Sequence, residues 1–290
     1  MATDTRSASR LDPNAVILAA RIPAIPDALQ HIMDIANRPS TTSTQLEQLV
    51  LKDPSLCAQI LKMVNSSFYA LVQRVTSLNQ AIILLGQSTV KSIAASLIML
   101  ETVGNTKNVT QYYLQRVWNR SVACSGMVTL LSKKEPLGFQ QKIFLAALVH
   151  DIGHLILSAQ FKDQYFKLVV KDEFPSPQAE LQTIGTEHAE VGAALLKLWG
   201  FPMDLVELVR LHHTLDLSPT LQKEIDMLEA GDLLADLPRS GKSFNEVQEL
   251  PQTNGFDRVA HLKMKLIAIG SSWEEVQEHE SKIFLVGTPK

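Results

Sequence analysis

Apolar residues along this 290-residue chain recur at spacings of three and four almost from end to end. That period gathers them on one face of an α-helix. Sustained period-two alternation, the mark of a half-buried strand, is absent, and Val and Ile are not clustered in short runs. Start and stop signals cut the pattern into pieces. Residues 27–36 carry Leu29, Ile32, Met33 and Ile35 at helical spacing. The run 40–44, Ser-Thr-Thr-Ser-Thr, offers an N-cap for a helix over 45–51. Asp53-Pro54 joins a capping carboxylate to a proline in the first helical position, and Asn65-Ser66-Ser67 stops that helix. Gly86 splits a helix over 78–85 from one over 88–100. Further helices are predicted over 111–132, 140–157, 161–171, 177–199, 202–213 and 221–236, with a last one or two over 258–282. The predicted fold class is all-α and multi-helical, with no heptads and no repeat of fixed period.

Composition narrows the function classes. Hydrophobic residues make up 46% and charged residues 20%, enough apolar material for a large core and too much for disorder. The formal charge is 27 − 30 = −3, which gives no electrostatic reason to coat nucleic acid or an anionic membrane. Lys133-Lys134, Lys263 and Lys265 are scattered, with no basic stripe and no interleaved aromatics, so they read as solvated faces and no nucleic-acid partner is expected. Cys57 and Cys124 are far apart and form no CxxC, consistent with a reducing compartment. The longest apolar runs, 93–100 and 143–149, fall short of the ~20 residues of a membrane span. The first ten residues lack a secretory apolar stretch. A cytoplasmic protein with no membrane partner is the expectation.

Histidine carries the chemical signal. Five of the eight histidines, His150, His154, His188, His212 and His213, lie inside strongly apolar helical segments. His150-Asp151 closes the apolar run 143–149 and offers an imidazole beside a carboxylate, a ligand pair suited to a borderline divalent ion. His154, four residues on, falls on the same face of a continuous helix as His150. His188 shares a stripe with Val191, Leu195 and Leu198; His212 shares one with Leu205, Leu208 and Val209; Asp232 shares one with Ile225, Leu228 and Ala235. Each alone has a plainer account: a hydrogen-bonded core histidine, a helix-to-helix tie through Asp232, a C-terminal cap by His212-His213. Together, inward-facing imidazoles and carboxylates from several helices can satisfy one another around a cation, since a carboxylate buried alone is costly. Gly241-Lys242-Ser243 is not read as a phosphate loop, because Asp236 stands where the upstream glycine belongs and no strand precedes it. His261 and His279 are assigned to no site.

The order of these residues resembles the H…HD…D pattern of the HD superfamily of metal-dependent phosphohydrolases, and more closely the HDOD family, the HD-related output domain of bacterial signalling proteins. IPAIPDALQHIMDIA, LVLKDPSLCAQILKMVNSSFY and SLNQAIILLG resemble that family's N-terminal lobe. LAALVHDIGHLIL, EHAEVGAALLKLWGFP, LVRLHH and GDLLADL resemble its HD-like lobe. The resemblance runs over about 15–237 and implies a tail at 1–14, an N-terminal helical lobe at 15–110, an HD-like lobe at 111–237, and a connection with a C-terminal helical region at 238–290. Residues 101–112 would link the lobes.

The resemblance also implies a metal set of His150, Asp151, His188, His212, His213 and Asp232, holding a divalent ion such as iron, manganese, zinc or nickel. Three departures stand out. Arg120 occupies the position of the family's first metal histidine, and a guanidinium has no lone pair to give. His154 replaces the lysine of the HDxGK motif found in cyclic-dinucleotide phosphodiesterases. The GYP motif after the histidine pair is missing. Arg120 is expected to pair with Asp151 or Asp232 and replace the metal's charge, whereas His154 adds a lone pair that could restore the lost ligand. The functional expectation is a regulatory HDOD protein with a degenerate site, acting through a signalling protein partner or a small signal. The alternatives are a metal-dependent phosphohydrolase of a nucleotide or phosphodiester, and a non-catalytic nucleotide sensor. A homodimer through 258–282 is left open.

Overall fold

The computed structural model describes residues 10–36, 42–65, 73–169, 174–214 and 217–236. Among them are fourteen helices and no strand, as the periodicity predicts. In chain order they are α1 (Pro13–Ala19), α2 (Asp27–Ala36), α3 (Ser43–Leu51), α4 (Pro54–Val64), α5 (Leu78–Leu85), α6 (Gln87–Gly104) and α7 (Gln111–Leu131). Then follow α8 (Leu137–Val149), α9 (Ile152–Gln160), α10 (Lys162–Leu168), α11 (Pro177–Thr183), α12 (His188–Leu198), α13 (Met203–Arg210) and α14 (Pro219–Asp236). The predicted connection, the helices over 258–282, the glycine-lysine-serine tripeptide, His261 and His279 lie outside the described residues.

Local chemistry sets the helix ends. Thr42 caps α3 and Ser77 caps α5 through reciprocal capping boxes with Gln45 and Gln80. Asp53 accepts from the backbone N–H of Ser55 and Leu56 at 2.9 and 3.1 Å, ahead of Pro54. Each such cap is worth about 1 kcal/mol. Gly86 adopts φ 81° and turns the chain by 120° between α5 and α6, a left-handed conformation that favours glycine. Asn65 ends α4 and clamps Val75, accepting its N–H and donating to its C=O, both at 2.7 Å.

The described residues fall into two compact units, each discontinuous in sequence. One draws on 27–99, 119–148 and 214 onward; its core includes Leu46, Val50, Ile60, Val64, Ala81, Val90, Val128 and Leu228, all fully buried or nearly so. The other draws on residues up to 26, on 100–118 and on 149–213. Its centre is the packing of α9 against α12, with α1 lying on both and α13 against α12. This division crosses the contiguous boundaries expected from the sequence. Residues 10–14 also differ from an expected tail: Leu11 N–H donates to the Gly185 carbonyl at 2.8 Å, Arg10 pairs with Glu190, and Asp12 caps α1. Residues 101–104 belong to α6 rather than to a link.

Two predicted helices are each broken in two. The segment 140–157 splits into α8 and α9 at His150-Asp151, where Asp151 sits at φ −92°, ψ 3°. The segment 177–199 splits into α11 and α12 around Gly185, whose φ is 90°. Leu137–Gln160 is apolar and long enough to cross a membrane by composition, but nearly all of it is buried as core.

Candidate metal centre

Both breaks exist to bring polar groups together. Gly153, in the first turn of α9, lies against the backbone of His188; a methyl group there would stand 2.0 Å from the His188 carbonyl oxygen. Gly192 on α12 faces Gly153 in turn, its missing Cβ only 3.4 Å from the Gly153 nitrogen. Two glycines thus let the helices approach and set the start of α12 beside the α8–α9 break. The second break folds α11 back on α12. In a continuous helix Glu180 and His188 would stand about 12 Å apart along the axis. Here the Glu180 carboxylate accepts from His188 twice, from its backbone N–H at 2.9 Å and from ring Nδ1 at 2.7 Å.

These contacts fix which ring nitrogens keep a lone pair. His212 Nδ1 lies 2.6 Å from the Val209 carbonyl oxygen, which can only accept, so Nδ1 carries the proton and Nε2 the lone pair. His188 Nδ1 is engaged by the Glu180 carboxylate, which puts the proton on Nδ1 and the lone pair on Nε2 in the same way. The Nε2 atoms of His188 and His212 are 3.3 Å apart, and those of His188 and His213 3.1 Å. Burial, then the neighbouring His150 and His188, hold the His212 imidazole well below the usual histidine pKa, so protonation is disfavoured as a way to relieve that contact. Lone pairs facing one another across such a gap suit a shared cation. Ligands of a tetrahedral ion with bonds of ~2.0–2.1 Å stand about 3.3 Å apart.

Asp151 completes the cluster. Its Oδ1 is 3.4 Å from His150 Nε2, 3.6 Å from His154 Nε2 and 3.8 Å from His188 Nε2. Donor atoms of His188, His212 and His213, of His150, Asp151 and His212, and of Asp151, His154 and His188 each lie within 4.8 Å of one another. The donor chemistry fits a divalent ion: neutral imidazoles and a carboxylate, with Glu180 and the Val209 carbonyl orienting two rings from behind. Such an ion would polarise a bound water or phosphoryl oxygen. His150, Asp151, His154, His188 and His212 are all 1% exposed or less; His213 is only partly buried.

The five histidines and Asp151 converge within one unit. Arg120 on α7 and Asp232 on α14 pair with each other in the other unit, with Arg120 Nη2 2.5 Å from Asp232 Oδ2. Of the two carboxylates predicted as partners of Arg120, Asp232 accepts a hydrogen bond from it. His150 and His154 are not one turn apart on a single helix, yet both face Asp151.

Three residues were not anticipated. Glu180 is fully buried, and Tyr165 and Tyr113 form a hydroxyl chain to His154, with Tyr113 Oη 2.6 Å from Tyr165 Oη and Tyr165 Oη 2.6 Å from His154 Nδ1. Burial raises the pKa of Glu180 and of both tyrosines. Glu180 left one trace in the sequence, a carboxylate eight residues before a candidate ligand, and only the break at Gly185 makes that spacing a contact.

Known proteins resemble this chain in sequence and in fold. The HDOD domain profile matches residues 22–215, a span that holds every histidine of the cluster and ends short of Asp232 and the GDLLADL segment. An uncharacterised protein of Treponema pallidum is 25% identical over 252 residues, covering 80% of this chain and 47% of that protein, so the chain spans about half its relative's length. The crystal structure of an HDOD domain protein of unknown function from Geobacter sulfurreducens superposes with a TM-score of 0.64 at 22% identity, covering 95% of this chain and all of that one. A Shewanella amazonensis protein, provisionally named a phosphohydrolase, gives 0.67 at 20% identity over 97% and 98% of the two chains. The family profile covers well over half the chain, and the all-helical fold agrees: this chain belongs to the HDOD domain family.

Proposed function

We propose that this chain is a bacterial regulatory HDOD protein. It holds a divalent metal in a closed His/Asp centre and acts by binding a signalling partner rather than by turnover. The observation that carries this reading is burial. Five of the six converging side chains are 1% exposed or less, whereas a catalytic metal keeps a position open to water and substrate. Glu180 and the Val209 carbonyl support metal retention, because they hold lone pairs of His188 and His212 toward one another. The Arg120–Asp232 pair supports loss of catalysis, since it engages a carboxylate that the family resemblance offers to metal.

A second reading, a metal-dependent phosphohydrolase, draws on His213. This ligand candidate is only partly buried, so the cluster has one side nearer to solvent. The provisional name of the Shewanella relative points the same way.

The test is a hydrolysis assay of metal-loaded protein against bis-p-nitrophenyl phosphate, cyclic dinucleotides and nucleoside polyphosphates. The regulatory reading expects no turnover above that of Asp151→Asn. Metal-dependent turnover abolished by Asp151→Asn would overturn it in favour of the hydrolase.

A further inference from the structure

We infer that residues 10–23 form a strap whose docking is coupled to the His/Asp centre, so that the state of a sealed cluster is felt at the surface. This rests on the proposed regulatory reading and supplies the route by which a closed centre is read or reached.

The strap is tied near both ends of α12. Leu11 N–H donates to the Gly185 carbonyl at 2.8 Å and Arg10 pairs with Glu190, so these two attachments stand on either side of His188 in the chain. Further along, the Pro23 carbonyl accepts from Trp199 Nε1 at 3.2 Å, just past the end of α12. Between these ties α1 lies on α9 and α12, the helices that carry His154 and His188, and leaves Val16 and Ile17 buried.

The tie to Gly185 reaches the centre through the backbone. At Gly185, with φ 90°, α11 folds back on α12, and that fold is what sets Glu180 against the His188 N–H and Nδ1. Withdrawing Glu180 turns the chain about Gly185 and so disturbs the carbonyl that Leu11 holds. The coupling is reciprocal: whatever tightens the Glu180–His188 contact tightens the strap, and whatever lifts the strap loosens the contact.

The strap is lightly held. Helix α1 has seven residues, too few to persist alone. The Arg10 side chain is 74% exposed in its ion pair, which solvent therefore screens. Arg21, just beyond α1, holds φ 54°, a left-handed conformation that an arginine keeps only under contacts from outside. Few buried contacts and solvent-facing ties mark the elements of a fold that open first.

The experiment is backbone amide hydrogen exchange on the full chain, comparing wild type with Arg10→Glu/Leu11→Pro, which reverses the ion pair and removes the N–H. In metal-free protein the variant should speed exchange of the His188 amide by about 10-fold or more, while Ile93 in the other unit keeps its rate. In wild type, Zn(II) should slow the Leu11 amide, and the variant should weaken Zn(II) binding by a comparable factor. A His188 rate unchanged in the variant, or raised only as much as that of Ile93, overturns the inference; so does Zn(II) that binds without slowing Leu11. A wild type that takes up no Zn(II) removes the metal reading, and the strap is then decided by the His188 amide of metal-free protein. Should the double variant not fold, Arg10→Glu alone carries the test. It changes one exposed side chain and should move His188 exchange in the same direction, and no movement rejects the strap.

Discussion

Arg120 Nη2 meets Asp232 Oδ2 at 2.5 Å, with the two residues 8% and 4% exposed, so α7 and α14 are joined by an ion pair almost sealed from water. Removing one partner leaves a buried charge uncompensated. Arg120→Ala should therefore cost roughly 3–5 kcal/mol, read by urea denaturation. Replacing both, as in Arg120→Met with Asp232→Leu, should recover most of that loss, because the desolvation cost vanishes with the charges. A neutral Arg120→Ala would show that the pair contributes nothing to stability.

Gly153 offers a sharper steric test. Its Cβ position lies 2.0 Å from a backbone oxygen, which cannot swing aside as a side chain can. Gly153→Ala should destabilise the fold by more than the ~1–3 kcal/mol of ordinary core overpacking. Gly138 on α8 has nothing within 4 Å of its Cβ position, so Gly138→Ala should change stability by less than about 1 kcal/mol. Equal effects at the two positions would mean that α9 and α12 are not in close approach.

Acidification should destabilise the metal-free protein. Burial lowers the pKa of His212 and of His154 below the ordinary value of 6.5. The unfolded chain therefore takes up these protons first as pH falls. The stabilising effect of keeping both rings neutral is complete above about pH 6.5 and is lost as pH drops from there toward the folded-state values. The slope is at most about 1.4 kcal/mol per pH unit for each histidine. Glu180 works the other way: its raised pKa makes the folded state the better proton acceptor above 4.5, and that offsets part of the loss at the acid end. Urea unfolding at pH 7.5 and 5.5 measures the sum, and His212→Asn should flatten the slope. Stability that holds or rises between these values would contradict the assignment of buried, neutral imidazoles.

Much of this architecture was legible along the chain, for reasons that are local. Asp53-Pro54, Ser77 with Gln80, and Gly86 each act on their immediate neighbours, and the helices around them end where those residues dictate. The clustering of His150, Asp151, His154, His188, His212 and His213 was legible too, because polar groups inside apolar helices must meet partners. What periodicity concealed were the breaks. Residues 140–157 and 177–199 keep helical spacing straight through His150-Asp151 and through Ile184–Glu187, and the turns there are imposed by contacts between distant segments. Gly153 against His188 is one such contact. Glu180 stayed hidden for that reason, since its partner is reached only after the chain doubles back. Arg10 and Leu11 fall in the stretch expected to be a tail, and only the position of Glu190 and Gly185 gives them partners.

Metal content of untagged protein, purified with no metal added and measured by plasma mass spectrometry, tests the central claim most directly. A closed centre with Glu180 and Val209 orienting its imidazoles predicts about one equivalent of a transition metal, retained through dialysis at neutral pH and lost in Asp151→Asn. Less than about a tenth of an equivalent, unchanged after incubation with iron, manganese, zinc or nickel, would contradict it, and the cluster would then be a buried polar network without a metal.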